Sequence, residues 1–384
     1  MKIVDVCAFY APGGGGVRTY VEQKLAVGPL LGHEMTVVVP GAADAVIERG
    51  PGARIVSLAA PRFPLDRRYR FFADEGTVHA ALDRIAPDFV EVSSPWRSPT
   101  MVARWRPDVP KALVMHADPL SAYAYRWFGP LLEREAIDRH MDPFWRHLRT
   151  LGRAYHAVVC PSADLAQRLA NGGVNGVATV PMGIERSLFS PDKRDPAIRA
   201  DLLRRCGLPE DATLLIAAGR LAPEKRVPML VRAATLAGRD QPVGLAIFGD
   251  GRERKAVLAA IGGNPHIRLF APETDRQTFA RLLASSDALL HGCEAETFCM
   301  AAAEARACGV PLIVPDRGGA ADHGAGYGLL YRSADPLAAA HAIGVLASLG
   351  PRPAGATARS MEDHFAELFA LYASIAAHGH RLAA

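Results

Sequence analysis

The sequence lacks long hydrophobic runs, cysteine pairs and any concentrated excess of charge. No stretch reaches the ~18–20 uninterrupted apolar residues of a membrane-spanning helix. Asp5 interrupts an N-terminal apolar run that is already too short for a signal peptide. The six cysteines form no CxxC pair, and a net charge of +4 over 384 residues is small for a nucleic-acid-binding protein. We therefore expect a cytoplasmic protein that does not bind nucleic acid.

Patterns typical of metal sites are also missing. His291, Cys293, Cys299 and Cys308 lie near one another in the sequence, but their spacing matches no zinc-ligand pattern. Packing at a strand-to-helix junction explains them better. No acidic DxD motif follows a predicted strand beside the cationic residues described below. We therefore predict that the protein requires neither a metal ion nor a cofactor.

Apolar runs typical of buried strands alternate with helical patterns along the chain, as in parallel βαβ units. The runs are MKIVDVCAF, HEMTVVVPG, DFVEVSS, KALVMHA and AVVCPS, then ATLLIAAG, VGLAIFGDG, IRLFAP, DALLHG and PLIVPD. A segment rich in Pro, Gly and charge, VPMGIERSLFSPDKRDPA, separates the two series. This pattern predicts an α/β protein of two doubly wound, Rossmann-like domains, residues 1–182 and 183–360. Residues 361–384 contain a last helix, which we expect to pack toward the N-terminal domain.

Ligands of doubly wound domains bind beyond the carboxyl ends of the strands, so the loops that directly follow strands are the candidate sites. The first such loop is APGGGGVR, residues 11–18. Gly15 and Gly16 would let backbone N–H groups approach an anion at the start of a helix. The loop is neither GxGxxG, because no third glycine falls at the required spacing, nor a P-loop, because the Lys-Ser/Thr pair is missing. A plain flexible turn is the alternative.

Two cationic residues follow the first strand of the second series. Arg220 and Lys225 bracket a turn in GRLAPEK. Arginine can bind a phosphate through two hydrogen bonds, and lysine can bind it as a point charge. The pair therefore suits a diphosphate, with an ordinary solvated loop as the alternative.

The segment after DALLHG predicts a helix that begins near Phe298 and ends at Gly309, where glycine suits the C′ position. The N-terminal amides near Cys299 and Met300 would then face a phosphate. Glu304 lies among alanines in this helix and would need hydrogen-bond donors if it is buried. Ribose hydroxyls would supply two such donors, whereas the alternative is a solvated helix face.

One histidine ends a strand of the N-terminal domain. His116 follows the run KALVM, so its side chain would reach the edge of the sheet where ligands bind. A satisfied structural histidine is the alternative of equal weight.

The ordered set of motifs resembles the retaining GT-B glycosyltransferases of family 4 over nearly the whole chain. The motifs are GGGGVRTYVEQKLAVGPLLGHEMTVVVPG, VVCPSADLAQRL, VPMGIERSLFSP, AAGRLAPEKRVPMLVRA, IFGDGRER and the pair Glu296-x7-Glu304 followed by RACGVP. The chain departs from the family at Cys299, where glycine is usual, and at Gly292-Cys293, where the family has Pro-Ser. Both departures bear on which donor is bound.

The resemblance implies a role for each matching residue. Arg220 and Lys225 would hold the diphosphate of a nucleotide sugar, Glu304 the ribose, and Glu296 the transferred sugar. The amides of Cys299 and Met300 would contact phosphate or sugar oxygens. From the N-terminal domain, Gly15 and Gly16 would line the phosphates, and His116 would lie beside the anomeric carbon.

The resemblance also implies the reaction. We expect a metal-independent retaining transfer of a hexose from a UDP- or GDP-sugar to a lipid-linked or saccharide acceptor, in glycolipid or cell-envelope glycan synthesis. A nucleotide-sugar epimerase or a phosphorylase of the same fold is the alternative reaction, and a binding protein without activity is a further alternative. A nicotinamide oxidoreductase is disfavoured, because strand two ends in Val38-Val39-Pro40-Gly41 without the acidic residue that such enzymes need.

A segment of the N-terminal domain interleaves cations with aromatics. Residues 62–72, RFPLDRRYRFF, hold four arginines against one aspartate. This composition suits peripheral binding to an anionic membrane surface where a lipid-linked acceptor would lie. A solvated loop over buried aromatics is the alternative.

Overall fold

The computed structural model describes residues 1–10, 16–64, 69–93, 95–118, 120–129, 131–350 and 358–378. The chain divides into two compact units. Unit 1 comprises Met1–Met182 and the segment that begins at Met361, and unit 2 comprises Gly183–Ser360. No helix in the described part of the chain combines the length and apolar character that crossing a membrane requires.

Unit 1 is built on an eight-stranded sheet. Its strands are β1 (Lys2–Cys7), β2 (Glu34–Gly41), β3 (Ala45–Gly50), β4 (Ala53–Ala59), β5 (Phe89–Ser93), β6 (Lys111–Val114), β7 (Ala157–Cys160) and β8 (Val177–Thr179). Their order is β3-β4-β2-β1-β5-β6-β7-β8. Neighbouring strands are parallel except β3 and β4. The order reverses beside β1, which is the point where doubly wound sheets form their ligand crevice.

Helices cover this sheet because their apolar faces pack on its buried strands. They are α1 (Gly16–Leu30), α2 (Glu75–Ile85), α3 (Arg97–Ala103), α4 (Tyr125–Phe128), α5 (Arg134–His140), α6 (Asp142–Ala154) and α7 (Ala163–Asn171). Short polar side chains start two of them. Asp74 accepts a hydrogen bond from the Thr77 amide at α2, and Ser162 accepts one from the Leu165 amide at α7.

Unit 2 is a six-stranded parallel sheet. Its strands are β9 (Thr213–Ala218), β10 (Val243–Phe248), β11 (Ile267–Phe270), β12 (Ala288–Leu290), β13 (Leu312–Pro315) and β14 (Leu329–Tyr331). The order β11-β10-β9-β12-β13-β14 is that of a Rossmann-like domain and reverses beside β9. The helices are α8 (Pro196–Arg205), α9 (Val227–Ala237), α10 (Arg254–Ile261), α11 (Arg276–Ala284), α12 (Met300–Ala307), α13 (Gly319–Gly324) and α14 (Pro336–Leu349).

The last helix, α15 (Met361–His378), lies in unit 1 although it follows unit 2 in the sequence. The side chains of Phe365, Leu368, Phe369 and Tyr372 are buried in the core of unit 1. The Tyr372 ring stacks on Phe89 of β5 with centroids 4.2 Å apart. The helix thus completes the hydrophobic core of unit 1.

A fully buried charged network joins α15 to the sheet. Lys24 Nζ lies 2.8 Å from Asp5 Oδ2 and 2.6 Å from Glu91 Oε1, and all three side chains are inaccessible to solvent. The Tyr372 hydroxyl donates to Glu91 Oε2 at 2.9 Å. Burial raises the pKa of Glu91 to about 7, although Lys24 works in the opposite direction.

Candidate functional site

Three loops meet at the carboxyl edge of the unit 2 sheet, after β9, β12 and β13. Glycines let them approach closely. A β-carbon added at Gly292 would lie 2.7 Å from the Lys225 carbonyl oxygen, and one added at Gly319 would lie 2.6 Å from the Cα of Phe298. The Gly319 amide donates to the Glu296 carbonyl at 2.8 Å. A small pocket opens here, lined in part by Gly219, Arg220, Lys225, His291 and Gly292.

The two predicted cations have different surroundings. Lys225 lies in a 3-10 turn, Pro223–Lys225, and its ammonium forms an ion pair with Glu296. Burial disfavours the charged ammonium, but Glu296 outweighs this effect, so the pKa of Lys225 is raised. The Arg220 side chain is 64% exposed and bonds Glu224 Oε1 at 3.0 Å. Arg220 is therefore free to reorient toward a ligand, whereas Lys225 is held in place.

Glu296 is the carboxylate with which the cationic side chains of this site interact. Burial would raise the pKa of this carboxyl, but Lys225 and, to a smaller extent, His291 and Arg220 lower it, so the net pKa is lowered. The ligand atoms of His291, Glu296 and Cys299 lie within 4.8 Å of one another. They are the one group of described His, Cys, Asp and Glu residues close enough to suggest a metal site. The Lys225 ammonium already pairs with Glu296, so a cation there would meet strong repulsion.

The helix after β12 begins later than the sequence predicted. Instead of starting near Phe298, α12 starts at Met300, because Cys299 has a φ of 69° and cannot be part of a right-handed helix. Glycine adopts this left-handed conformation without a steric penalty. The helix ends at Ala307, and Gly309 follows with a φ of 69°, as its predicted C-terminal position requires.

Glu304 is buried in α12, not on a solvated face. Its side chain is 5% exposed, and Oε1 lies 3.2 Å from Arg276 Nη1. Burial raises the pKa of Glu304 to about 7, with Arg276 acting in the opposite direction. A buried carboxylate with one cationic neighbour retains capacity to accept further hydrogen bonds.

Sequence reasoning missed two residues that support this edge. Arg226 has a left-handed backbone with a φ of 50° and forms a two-point ion pair with Glu294, including Nε to Oε2 at 2.9 Å. This pair fixes the loop before α9 to the loop after β12. His291, which the sequence analysis considered only as a zinc ligand, lines the pocket. Arg226 carries no spacing signal, since its partner Glu294 comes from another loop, and a single histidine after a strand carries none either.

The remaining predicted residues belong to unit 1. His116 follows β6, and its ring contacts Tyr20 with centroids 4.6 Å apart. Burial, with a smaller contribution from Lys24, lowers the pKa of His116 to about 3, so its imidazole is neutral at pH 7. Gly16 begins α1, and a β-carbon there would meet no atom within 4 Å. Gly15 lies outside the described residues.

Comparison with known proteins decides the family. The model for "Glycosyltransferase Family 4" matches residues 14–188, and the model for "Glycosyl transferases group 1" matches residues 199–352. A GDP-mannose-dependent alpha-(1-6)-phosphatidylinositol dimannoside mannosyltransferase of Mycobacterium tuberculosis is 31% identical over 82% of this chain and 79% of its own length. The chain belongs to glycosyltransferase family 4.

Further similarities agree with this family and with its fold. A GDP-mannose-dependent alpha-mannosyltransferase of Corynebacterium glutamicum is 28% identical over 84% of this chain and 74% of its own length. Sucrose-phosphate synthase from Thermosynechococcus elongatus has a TM-score of 0.73 at 16% identity, covering 98% of this chain and 99% of its own. Anabaena HepE, solved with UDP and glucose, has a TM-score of 0.62 at 16% identity, covering 97% and 100%. This family 4 chain is thus a glycosyltransferase with the GT-B fold.

Proposed function

We propose that the enzyme is a retaining mannosyltransferase that uses GDP-mannose and acts in glycolipid synthesis. The observation that carries this proposal is the 31% identity to the dimannoside mannosyltransferase, which extends over both units. That relative and the Corynebacterium protein are both named as dependent on GDP-mannose. Retention is supported because GDP-mannose carries an α-mannosyl group and both names state an alpha transfer.

In this proposal the unit 2 edge binds the donor. Arg220 and Lys225 neutralise the diphosphate, and the amides at Cys299 and Met300 add the partial positive charge of a helix start. Glu304 accepts hydrogen bonds from the ribose hydroxyls, and Glu296 binds the mannose. From unit 1, Gly15 and Gly16 would line the phosphates, and His116 would lie beside the anomeric carbon.

The reaction then proceeds on one face of the sugar. The bond from the anomeric carbon to the diphosphate oxygen breaks, and the acceptor oxygen forms the new bond to the same carbon. The acceptor proton passes to the departing diphosphate oxygen. The protein's contribution is to stabilise charge on the leaving group, for which preorganised cations are effective.

No metal is needed in this scheme, since side chains supply the positive charge. Lys225 is fixed by Glu296, and Arg220 lies on the same loop. Transfer should therefore persist in excess EDTA. Loss of transfer that Mg²⁺ or Mn²⁺ restores would contradict metal independence without affecting the assignment of the donor.

We propose a lipid-linked acceptor and reversible binding to an anionic membrane surface. The sequence placed this surface at residues 62–72, and the structure corrects part of that prediction. Phe72 is 5% exposed and belongs to the core, and the rings of Phe63 and Phe71 contact each other with centroids 6.1 Å apart. Leu65, Asp66, Arg67 and Arg68 lie outside the described residues.

Large apolar side chains are exposed at another place in unit 1. We call this set the aromatic surface, and it comprises Tyr123, Trp127, Phe128, Leu131 and Leu132, which are 43–83% exposed. Exposed aromatics beside polar groups suit the membrane interface. We therefore propose that the aromatic surface provides the apolar part of membrane binding and the arginines of 62–70 the electrostatic part.

A donor panel tests the proposed function. Nucleotide release is measured with GDP-mannose, GDP-fucose, UDP-glucose and UDP-galactose, each without acceptor, with mannosylated phosphatidylinositol and with soluble saccharides. Of the four donors, we expect only GDP-mannose to release its nucleotide, and only when the lipid acceptor is present. Release from a UDP-sugar instead would refute the donor, and release stimulated only by soluble saccharides would refute the lipid acceptor.

Co-sedimentation with anionic liposomes tests membrane binding separately. Trp127→Ser/Phe128→Ser should weaken binding at all salt concentrations, whereas Arg67→Glu/Arg68→Glu/Arg70→Glu should weaken it mainly at low salt. If the wild type stays in solution at low salt, membrane binding is refuted.

A further inference from the structure

The fold holds His291 in a fixed position at the pocket. It directly follows β12, which pairs with β9 beside the reversal in strand order. Its amide donates to the Ile313 carbonyl at 2.9 Å, and its carbonyl accepts from the Tyr331 hydroxyl at 2.6 Å. Both neighbours belong to strands of the same sheet, so the backbone of His291 cannot move independently.

The imidazole of His291 is buried but incompletely hydrogen-bonded. The residue is 7% exposed. The backbone of Cys293 hydrogen-bonds the ring, whereas Nε2 has no hydrogen-bond partner among the described residues. The nearest ionisable oxygen, Glu296 Oε1, lies 3.7 Å from Nε2, beyond hydrogen-bond range. Leaving a buried polar atom unpaired is unfavourable, so such atoms often mark a ligand position.

The charge state of this ring defines what it can bind. Burial lowers the pKa of His291 to about 4, although Glu296 acts in the opposite direction, so the ring is neutral at pH 7. The Cys293 hydrogen bond raises the pKa, as expected when the ring nitrogen donates to a carbonyl. With one nitrogen donating, the other nitrogen of a neutral imidazole is an acceptor. Nε2 can therefore accept a hydrogen bond from a ligand.

We propose that His291 determines donor specificity by accepting a hydrogen bond at Nε2 from a hydroxyl of the transferred sugar. This inference rests on the proposed function and deepens it. Nε2 and Glu296 Oε1 are two acceptors 3.7 Å apart, a spacing that suits hydroxyls on adjacent ring carbons. Lys225 pairs with the same carboxylate, which keeps Glu296 ionised. Because Lys225 already donates to Glu296 Oε1, only a sugar without the hydroxyl that faces Nε2 would leave an acceptor unpaired. Sites of this kind discriminate strongly against such analogues.

The test combines His291 variants with donors that lack single hydroxyls. Wild type, His291→Gln and His291→Phe are assayed with GDP-mannose and its 2-, 3-, 4- and 6-deoxy analogues. We expect His291→Phe to lower kcat/KM for GDP-mannose roughly tenfold or more, and His291→Gln to recover part of this loss. Wild type and His291→Phe should use one of the deoxy donors equally well. This donor is the one that lacks the hydroxyl bound by Nε2, so the variant has no further interaction to lose with it.

Binding of GDP and the unfolding temperature are measured on the same variants. GDP lacks the transferred sugar, which is the proposed partner of His291, so the affinity for GDP should be unchanged within about twofold. An equal loss for every deoxy donor, or an equal loss of GDP affinity, would overturn the proposal. If the wild type does not use GDP-mannose, the proposed donor is wrong, and the same panel of deoxy analogues is run on the nucleotide sugar that it does use.

Discussion

Lys225 is held by Glu296 before any donor binds, whereas Arg220 is exposed and held only by Glu224. Lys225 and Arg220 should therefore contribute unequally to catalysis.

The variant Lys225→Ala removes a charge-assisted contact to the diphosphate, worth on the order of 1.5–3 kcal/mol, and leaves Glu296 without its partner. We expect kcat/KM to fall at least tenfold by that estimate, and further than in Arg220→Ala. Arg204→Ala, at an exposed arginine of α8, serves as the control. Near-normal activity of the double variant would remove both residues from the mechanism.

Glu304 gives the enzyme a pH dependence in the neutral range. Its pKa of about 7 in the free enzyme results from burial. The carboxylate that should accept the ribose hydroxyls is therefore lost by protonation as the pH falls through 7. We expect the Kd of GDP to rise between pH 8 and pH 6, and this rise to be absent in Glu304→Gln. An unchanged pH profile in Glu304→Gln would show that another group causes it.

The raised pKa of Glu304 also makes the stability of the fold depend on pH. The pKa of Glu304 is raised above its ordinary value of 4.5, so its contribution to stability is full below pH 4.5. That contribution is lost as the pH rises through 7, because the unfolded chain releases the proton first. Donor binding at pH 8 would offset this loss by supplying hydrogen bonds to the carboxylate.

Cys299 stores backbone strain at the start of α12. Its φ of 69° places a β-carbon in a conformation that favours glycine. We expect Cys299→Gly to be more stable than Cys299→Ala by about 1 kcal/mol in urea unfolding, since both variants lose the thiol but only glycine relieves the strain. At Cys308, where φ is −78°, the order should reverse. Equal stabilities at position 299 would contradict the strain.

At the scale of the elements, the buried strands were predicted because each lies in a segment dominated by apolar residues. Strands β1, β2, β5, β6 and β7 and the five strands β9–β13 all lie in predicted runs. The antiparallel β3, AVIERG, is exposed along its whole length, so it has neither an apolar run nor alternation. Its pairing with β4 is a tertiary effect that local patterns do not encode.

The buried network of Lys24, Asp5 and Glu91 also escaped prediction. Each residue comes from a different element, and the pairing depends on strand order. Lys24→Met should destabilise unit 1 by about 3–5 kcal/mol, because it leaves two buried carboxylates without a cation. Tyr372→Phe removes one hydrogen bond to Glu91 and should cost about 1–2 kcal/mol. The two values come from urea unfolding, and a smaller loss in Lys24→Met than in Tyr372→Phe would show that the network does not stabilise the C-terminal helix.

Part of the candidate site was also predicted from the order of strands and loops. Arg220 and Lys225 were predicted from a loop that directly follows a strand, and Glu304 from the helix after another strand; strand direction alone brings such segments to one edge. Glu296 was predicted only through the resemblance to the E-x7-E motif of the family. The unpaired Nε2 of His291 and its distance to Glu296 depend on how the loop after β12 folds and packs. A single histidine after a strand carries no such information in the sequence.

At the scale of the whole molecule, the chain places Arg220, Lys225, Glu296 and Glu304 in unit 2 and completes unit 1 with its last helix. The 31% identity to the dimannoside mannosyltransferase extends over 82% of the chain and therefore covers parts of both units.

The anomeric configuration of the product tests the proposed reaction most directly. The enzyme is incubated with GDP-mannose and a mannosylated phosphatidylinositol, and the new linkage is assigned by NMR from its one-bond C–H coupling at the anomeric carbon. We predict an α-mannosyl product formed with stoichiometric release of GDP. A β-mannosyl product would contradict retention, and GDP-mannose left intact beside an acceptor would contradict the proposed function as a whole.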